Sequence, residues 1–463
     1  MRFRASDVAA DLGGELVGPD VTFTGAAIDS RRVRGGELFV PVVAARDGHD
    51  FIGDALAAGA SAYFTSRHPV GGTAIVVADT AAALADLGRR ARARLPDRVV
   101  GVTGSSGKTS TKDLLGAVLA AHGPAAVSER SHNNELGVPL TLVNAPDGAQ
   151  AAVVEMGARG PGHIRWLCAV ARPTVGVVTN VSLSHTEFLG SIDGVAKAKT
   201  ELVEALPASG VAVLNAGDER VAAMAPATSA RVVTFGVDVG DVRATRVSLD
   251  SELRPSFALE TPWGRVDVRL ETRGAHQAAN AAAAAAAALA LGVDLAEVAG
   301  GLARAVSSPW RMEVHRSPGG ALVLNDAYNA NPASAEAALQ ALAAVPADGG
   351  EPRGRRIAVL GPMLELGATS RDEHRRIARL ARTLGFEVIA VGTDEYGIEP
   401  QPDLDAALAA VAPLGAADAV LVKASRAAGL ERLASRLAAG EADTVDTVPP
   451  APPSPAGEGR TAW

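Results

Sequence analysis

The sequence predicts an α/β protein of three domains, built on parallel sheets covered by helices on both faces. Three observations predict it. The chain is 463 residues long, about three times the ~150 residues of a common domain. From Val99 onward, short apolar β-branched runs alternate with helical patterns, as in a mainly parallel sheet. That alternation restarts near Pro309, which predicts a second doubly wound unit. The expected division is a small α/β domain over 1–97, a central parallel-sheet domain over 98–308 and a Rossmann-like domain over 309–441. The Pro- and Gly-rich tail over 442–463 is expected to be disordered.

Composition bounds the classes. With 48% hydrophobic and 21% charged residues the mixture is that of a globular protein. Only 3% of residues are aromatic, so the cores must be packed with Ala, Val and Leu. A net charge of −8 argues against a general nucleic-acid or anionic-membrane surface. Cys168 is the only cysteine, which excludes an intrachain disulfide and a Cys-based metal cluster. Met1 to Leu16 has no apolar stretch of the signal-peptide kind, and the Ala281–Gly292 run is too short to span a bilayer. The expectation is a soluble, cytoplasmic, monomeric protein that handles small molecules.

The elements follow in order. Glu37–Val40 reads as a strand after the Arg34-Gly35-Gly36 turn, Asp54–Ala60 as a short helix and Ala74–Ala78 as a buried strand. Gly88–Arg98 is basic and reads as a solvated helix face running into a linker at Pro96. Val99–Thr103 is a strand that enters a Gly-rich loop, with a helix expected from near Lys112. Ala151–Glu155, Thr174–Thr179 and Val211–Asn215 are further strands, and His276–Leu291 is a helix by propensity alone. In the last unit, strands are expected at Ala321–Asn325, Arg356–Leu360, Val388–Val391 and Val420–Lys423. Helices are expected at Ala333–Val345 and His374–Leu384.

The sharpest chemical signal is Thr103-Gly104-Ser105-Ser106-Gly107-Lys108-Thr109-Ser110. Small residues between a strand and a helix present backbone N–H groups to phosphate oxygens, and the helix N-terminus adds positive potential. Lys108 would reach the β/γ-phosphates and the Thr109 hydroxyl would hold Mg²⁺. Val102 stands where the strict pattern has its first Gly, so the loop is a variant. Glu155 ends an apolar strand, where doubly wound sheets place ligands, and is either a Mg²⁺ ligand or a solvated strand end. His185 ends another strand region, and a lone His is more often a structural hydrogen-bonder. Lys197 and Lys199 read by default as a solvated helix face. The polar run Asn325–Pro332 is either a binding loop or a capping turn. With Leu360–Gly367 and Val422–Arg426 it makes three polar loops at one sheet edge, which implies a ligand cleft.

Taken together and in order, these segments resemble the Mur ligase family of amide-bond-forming enzymes. The resemblance runs from Asp29-Ser30-Arg31 through the Gly104–Ser110 loop, Asn133–Pro139, Glu155-Met156-Gly157, Ser184-His185 and Ala198–Glu201. It continues through His276, Asn280, Arg311, Tyr328–Pro332 and Met363–Gly367. It implies that Gly104, Ser105, Ser106, Gly107, Lys108, Thr109 and Ser110 hold the phosphates of ATP. Two Mg²⁺ ions would be held with help from Thr109, Glu155, His185 and Lys199, the last being the lysine that the family carbamoylates. His276, Asn280, Arg311, Asp326, Tyr328 and Asn329 would surround the nucleotide. Ser30 and Arg31 would meet the uridine diphosphate end of the substrate, and Asn133, Asn134, Asn331 and Lys423 would bind substrate. Between Phe39 and His49 the chain departs from the family, because Val42–Arg46 lacks the usual Gly.

The implied reaction joins D-alanyl-D-alanine to UDP-N-acetylmuramoyl-tripeptide at the expense of ATP, through an acyl phosphate. No residue stands out in the sequence as general base for the amine. Two other readings compete with this one. A P-loop ATPase acting as a conformational switch would hydrolyse ATP without a UDP-sugar peptide. A folylpolyglutamate synthase relative would differ in the first domain, where Asp29-Ser30-Arg31 and Asp47-Gly48-His49 point to a UDP-muramoyl substrate. A silent binding protein would not need Lys108, Glu155, His185 and Lys199 together.

Overall fold

A computed structural model describes residues 1–130, 132–184, 186–345 and 354–440. The expected tail, 442–463, lies outside the described residues, as does His185.

Three sheets carry the architecture. The first has five short strands in the order Glu15–Val17, Ala74–Val76, Ala62–Thr65, Leu38–Phe39 and Ala26–Ala27, beside a small antiparallel pair, Arg2–Arg4 with Thr22–Thr24. The second has nine strands: Gly264–Arg269, Pro255–Thr261, Val242–Leu249, Arg231–Val237, Val211–Asn215, Val175–Val178, Val99–Thr103, Ala151–Glu155 and Ala125–Val127. It is parallel from Val242–Leu249 to Ala125–Val127 and ends in an antiparallel meander. The third has the order Glu313–Arg316, Leu322–Asp326, Ala419–Lys423, Arg356–Leu360 and Glu387–Ala390. All its neighbours are parallel except the first pair.

The Ala-rich run forms the helix Gln277–Ala290, and Ala281 through Ala288 are all fully buried. It packs against both the central sheet and the neighbouring helix Lys108–His122, where larger side chains would hold the backbones apart. Methyl groups and Val stacks thus supply the packing that the scarcity of aromatics denies. A second apolar cluster runs without a break from Met1 and Phe3 to Met224 and Ala230, so the first sheet and the central sheet share one core.

Three expectations need correction. Gly88–Arg98 is not a solvated face leading into a linker. Its first part completes the helix Thr80–Ala93, which Asp79 caps by accepting from Ala81 N and Ala82 N. A Cβ at Gly88 would lie 2.8 Å from Pro139, so the helix rides close on the central unit. Arg92 is only 3% exposed and donates to the carbonyls of Ala171, Leu95 and Arg172. Secondly, the helix expected from Lys112 begins at Lys108, because Gly107 with φ +78 starts it directly from the loop. Thirdly, the strands Arg231–Val237 to Gly264–Arg269 and the helices Leu404–Val411 and Glu431–Ala439 add to the expected alternation.

Candidate active site

Parallel register places the carboxyl ends of three central strands side by side. Val99–Thr103 pairs with Ala151–Glu155 through Val102 opposite Glu155, and with Val175–Val178 through Thr103 opposite Val178. The Gly104–Ser110 loop, Glu155 and the Thr179-Asn180 pair therefore converge. In the third sheet, Asp326 stands opposite Lys423 at the same kind of edge. The two edges face each other across a cavity of about 650 Å³.

The loop is tightly gripped. Gly104 has φ +152, and a Cβ there would collide with Thr179 Oγ1; at Gly107 a Cβ would lie 2.5 Å from Asn280 Oδ1. Asn180 clamps Ser106, accepting from its N–H at 3.0 Å and donating to its hydroxyl at 2.8 Å. Lys108 Nζ donates to Gly104 O at 2.6 Å. Burial pulls the Lys108 ammonium below the ordinary lysine range, with Glu155 opposing that pull.

Glu155 is 1% exposed, and its two oxygens are separately held. Thr109 Oγ1 donates to Oε2 at 2.8 Å, and Asn133 Nδ2 donates to Oε1 at 2.9 Å. Arg311 Nη2 in turn donates to Thr109 Oγ1 at 2.8 Å, while its guanidinium lies 4.3 Å from the Tyr328 ring centre. Arg311 stands between Trp310 and Met312, which have φ +59 and +52. Left-handed backbone at two non-glycine residues turns the chain sharply where it enters the last unit.

Lys423 is 2% exposed and reaches Asp326 Oδ2 at 2.5 Å and Asn329 O at 2.9 Å. Asn331 caps the helix Pro332–Ala343 through a reciprocal bond with Ser334, and its amide also donates to Ser105 O at 3.2 Å. This contact ties the C-terminal unit to the phosphate-type loop across 226 positions of sequence. His276 is half-buried, with its Nδ1 shielded from solvent and without a hydrogen-bond partner; desolvation lowers its pKa, with the Asp326 charge opposing. Asn280 donates to Gln277 Oε1 at 2.9 Å.

Of the residues expected from sequence, Ser105 to Ser110, Asn133, Asn134, Glu155, His276, Asn280, Arg311, Asp326, Tyr328, Asn329, Asn331 and Lys423 line this one cavity. Gly104 shapes the loop without lining it. Lys199 does not line it either: it is 1% exposed on the helix Ile192–Glu204. Burial, and secondarily the Lys108 charge, drive its pKa well below the usual range. Ser30 and Arg31 lie in the short turn Ser30–Arg32, outside the lining, although neighbouring Ile28 reaches it. There the Arg31 guanidinium is 2.7 Å from Asp29 and holds that carboxyl below its ordinary range.

Sequence reasoning assigned no individual role to Asn180 or Gln277, and it placed Glu365 and Arg426 only within polar loops at the cleft; all four line the cavity. Asn180 had a usable signal, a polar residue ending an apolar strand. Arg426 closes the polar Val422–Arg426 loop, and its guanidinium lies 4.0 Å from the Trp310 ring centre.

Comparisons with known proteins agree with this architecture. A family model described as the Mur ligase middle domain matches residues 102–288. One described as Mur ligase, glutamate ligase domain, matches 310–448. The chain is 42% identical over 467 residues to the UDP-N-acetylmuramoyl-tripeptide–D-alanyl-D-alanine ligase of Mycobacterium tuberculosis, spanning 89% of this chain and 91% of that one. It superposes on MurF from Acinetobacter baumannii with a TM-score of 0.83 at 30% identity, covering 94% and 99% of the two chains. With MurF from Thermotoga maritima, solved in complex with ADP, the TM-score is 0.76 at 30% identity, with coverage of 89% and 97%. Fold, site and relatives converge, and this chain belongs to the Mur ligase family.

Proposed function

We propose that this protein is an ATP-dependent ligase that joins D-alanyl-D-alanine to UDP-N-acetylmuramoyl-tripeptide, giving the UDP-pentapeptide, ADP and phosphate for peptidoglycan precursor synthesis. The observation that carries the reading is the joining of two sheet edges at one cavity. One edge brings a phosphate-type loop with Lys108 and the Thr109–Glu155 pair, and the other brings Asn331 onto that loop. A switch ATPase would not need a second α/β unit holding an Asn-rich loop against the phosphates.

A carboxylate is a poor electrophile, so it must be activated first. The tripeptide's terminal carboxylate attacks the γ-phosphorus of ATP, and ADP leaves with the electrons of the broken P–O bond. Backbone N–H groups from Ser105 to Ser110 and the Lys108 ammonium neutralise the charge that gathers there. The amine of D-alanyl-D-alanine then attacks the acyl carbon, and phosphate departs from the tetrahedral adduct. His276, Asn280, Arg311, Asp326, Tyr328 and Asn329 surround the nucleotide. Asn133, Asn134, Asn331 and Lys423 position the peptide substrates, and Ser30 and Arg31 meet the uridine diphosphate end.

The donor set suits Mg²⁺. Thr109 and Glu155 offer adjacent hard oxygens, and Mg²⁺ commonly takes one or two protein oxygens with phosphates and water completing the shell. Among the described residues no group of three or more His, Cys, Asp or Glu forms a metal cage by itself, which fits an ion whose remaining ligands come from substrate. When bound, Mg²⁺ supplies charge neutralisation at the transferring phosphoryl group. A second ion would be held by His185 and by Lys199 as its carbamate. The depressed pKa of buried Lys199 supports this, because a neutral amine is the form that adds to CO₂, releasing one proton and leaving an anionic oxygen donor.

Phosphate release should be measured with ATP and Mg²⁺ while each substrate is left out in turn. The reading requires that release depend on both UDP-N-acetylmuramoyl-tripeptide and D-alanyl-D-alanine, with the UDP-pentapeptide appearing by mass. Release indifferent to both would replace it with the switch reading.

A further inference from the structure

We infer that Asp113 is a positioning residue for nucleotide binding: by anchoring Ser308 it fixes the point where the chain leaves the central unit, and so sets Arg311 against the phosphate-type loop. The inference rests on the ligase reading above, which puts the phosphates of ATP beside Arg311.

The helix Lys108–His122 opens on that loop, and the chain entering the last unit runs back along it. A Cβ at Gly301 would lie 2.4 Å from Val118 Cα, so the helix Leu295–Ala303 rides close on its second half. Ser308 then meets Asp113, whose Oδ2 accepts from Ser308 N at 3.0 Å and from Ser308 Oγ at 2.7 Å. Three residues on, Arg311 Nη2 donates to Thr109 Oγ1 at 2.8 Å. Thr109 and Asp113 are four apart in a helix, so they stand one above the other on the same face.

Between these two contacts the chain changes sides. Ser308 is bonded to the central unit. Trp310 O accepts from Tyr328 N at 3.2 Å, and Met312 N donates to Asp326 Oδ1 at 3.1 Å, both within the C-terminal unit. Trp310 and Met312 hold left-handed backbone, which persists only where its surroundings fix it. From Ser308 to Arg311 an extended chain spans at most about 11 Å, and the ring of Pro309 removes one of its rotations. Ala305 is buried in the central core, whereas Val306 is 80% exposed. Without the Ser308 anchor, the linker to Arg311 would therefore grow from three residues to six, and its reach would double.

Asp113 and Ser308 are not among the described residues that line the cavity, so their part is support and not contact with nucleotide. Lys112, 2% exposed, lies 2.7 Å from Asp113 Oδ1 and donates to Ser128 O at 2.8 Å. Ser128 Oγ in turn accepts from Glu155 N at 3.1 Å. The Lys112–Asp113 pair thus braces the strand end of Glu155 as well as the linker of Arg311, and both side chains converge on Thr109.

The test is calorimetric binding of Mg²⁺ with β,γ-imido-ATP to the full chain, which needs no catalysis. The proteins compared are wild type, Asp113→Ala, Ser308→Ala, Arg311→Ala and the double variant Asp113→Ala/Arg311→Ala. Expected is an affinity loss of about 10-fold for Asp113→Ala, and about threefold for Ser308→Ala, which keeps the ion pair and the backbone bond. In the Arg311→Ala background, Asp113→Ala should cost less than about twofold more, because the group it positions is gone. Wild-type affinity in Asp113→Ala and Ser308→Ala would overturn the inference. So would full additivity in the double variant, which marks a structural role independent of Arg311. Should Asp113→Ala not fold, Ser308→Ala with and without Arg311→Ala gives the same comparison. Wild-type binding by Arg311→Ala would remove Arg311 from the nucleotide site, and this inference with it. A wild-type protein that does not bind the analogue would sink the ligase reading itself.

Discussion

Replacing Lys423 with Met tests how the C-terminal wall of the cavity is held. The Lys423 side chain is 2% exposed and that of Asp326 14%, so solvent screens their 2.5 Å contact little. The same ammonium also bonds Asn329 O at 2.9 Å and fixes the loop that carries Tyr328 and Asn331. Met fills a similar volume, so the loss is electrostatic and not one of packing. Removing one partner of a buried pair costs about 3–5 kcal/mol, because the other charge stays behind uncompensated. At about 3 °C per kcal/mol for a unit of this size, the corresponding transition should move down by about 10–15 °C. Urea unfolding and calorimetry of the full chain would measure both quantities. The double variant Asp326→Leu/Lys423→Met should regain about half of the loss, since no charge is then stranded. A loss below about 1 kcal/mol in the single variant, or a double variant as unstable as the single, would refute the reasoning.

Three further outcomes are expected. Gly107→Ala imposes a side chain at φ +78 and 2.5 Å from Asn280 Oδ1; nucleotide affinity should fall about 5- to 30-fold, matching the ~1–2 kcal/mol of left-handed strain, and an unchanged ATP KM would contradict this. Lys199→Ala should abolish turnover and be partly rescued by short carboxylates; full activity without rescue would remove the carbamate role. Glu135 has a pKa lowered to about 2, first through its bond with His163, against 4.5 when unperturbed. A depressed carboxyl pKa stabilises the fold above pH 4.5, and the contribution is lost as pH falls from about 4.5 to about 2. The stability gap between wild type and Glu135→Gln should therefore close over that window, and a gap constant from pH 6 to 2 would count against the contact. Because Glu135 is half exposed, the gap itself should be small.

Much of the central unit was legible because its determinants are local. The Val99–Ser110 stretch contains its own strand, its glycines and its helix start, and the Gln277–Ala290 helix follows from alanine propensity alone. The meander from Arg231 to Arg269 went unread although Val242–Leu249 alternates partly buried and exposed positions, since short half-polar strands lack the continuous apolar run of a parallel core. Arg92 misled for a different reason: an arginine looks solvated in sequence, and only the carbonyls of Leu95, Ala171 and Arg172 make its burial tolerable. In the site, single strand ends were readable one at a time, but their meeting was not. Asn331 reaches Ser105, and Arg311 reaches Thr109, across more than two hundred residues.

The central claim is that a substrate carboxylate, and not water, attacks ATP. It is tested most directly by labelling the terminal carboxylate of UDP-N-acetylmuramoyl-tripeptide with ¹⁸O and analysing the phosphate released during turnover with D-alanyl-D-alanine. The account predicts one ¹⁸O transferred to each phosphate, matched by one UDP-pentapeptide formed. Unlabelled phosphate would contradict it, because ATP would then be cleaved without ever activating the carboxylate.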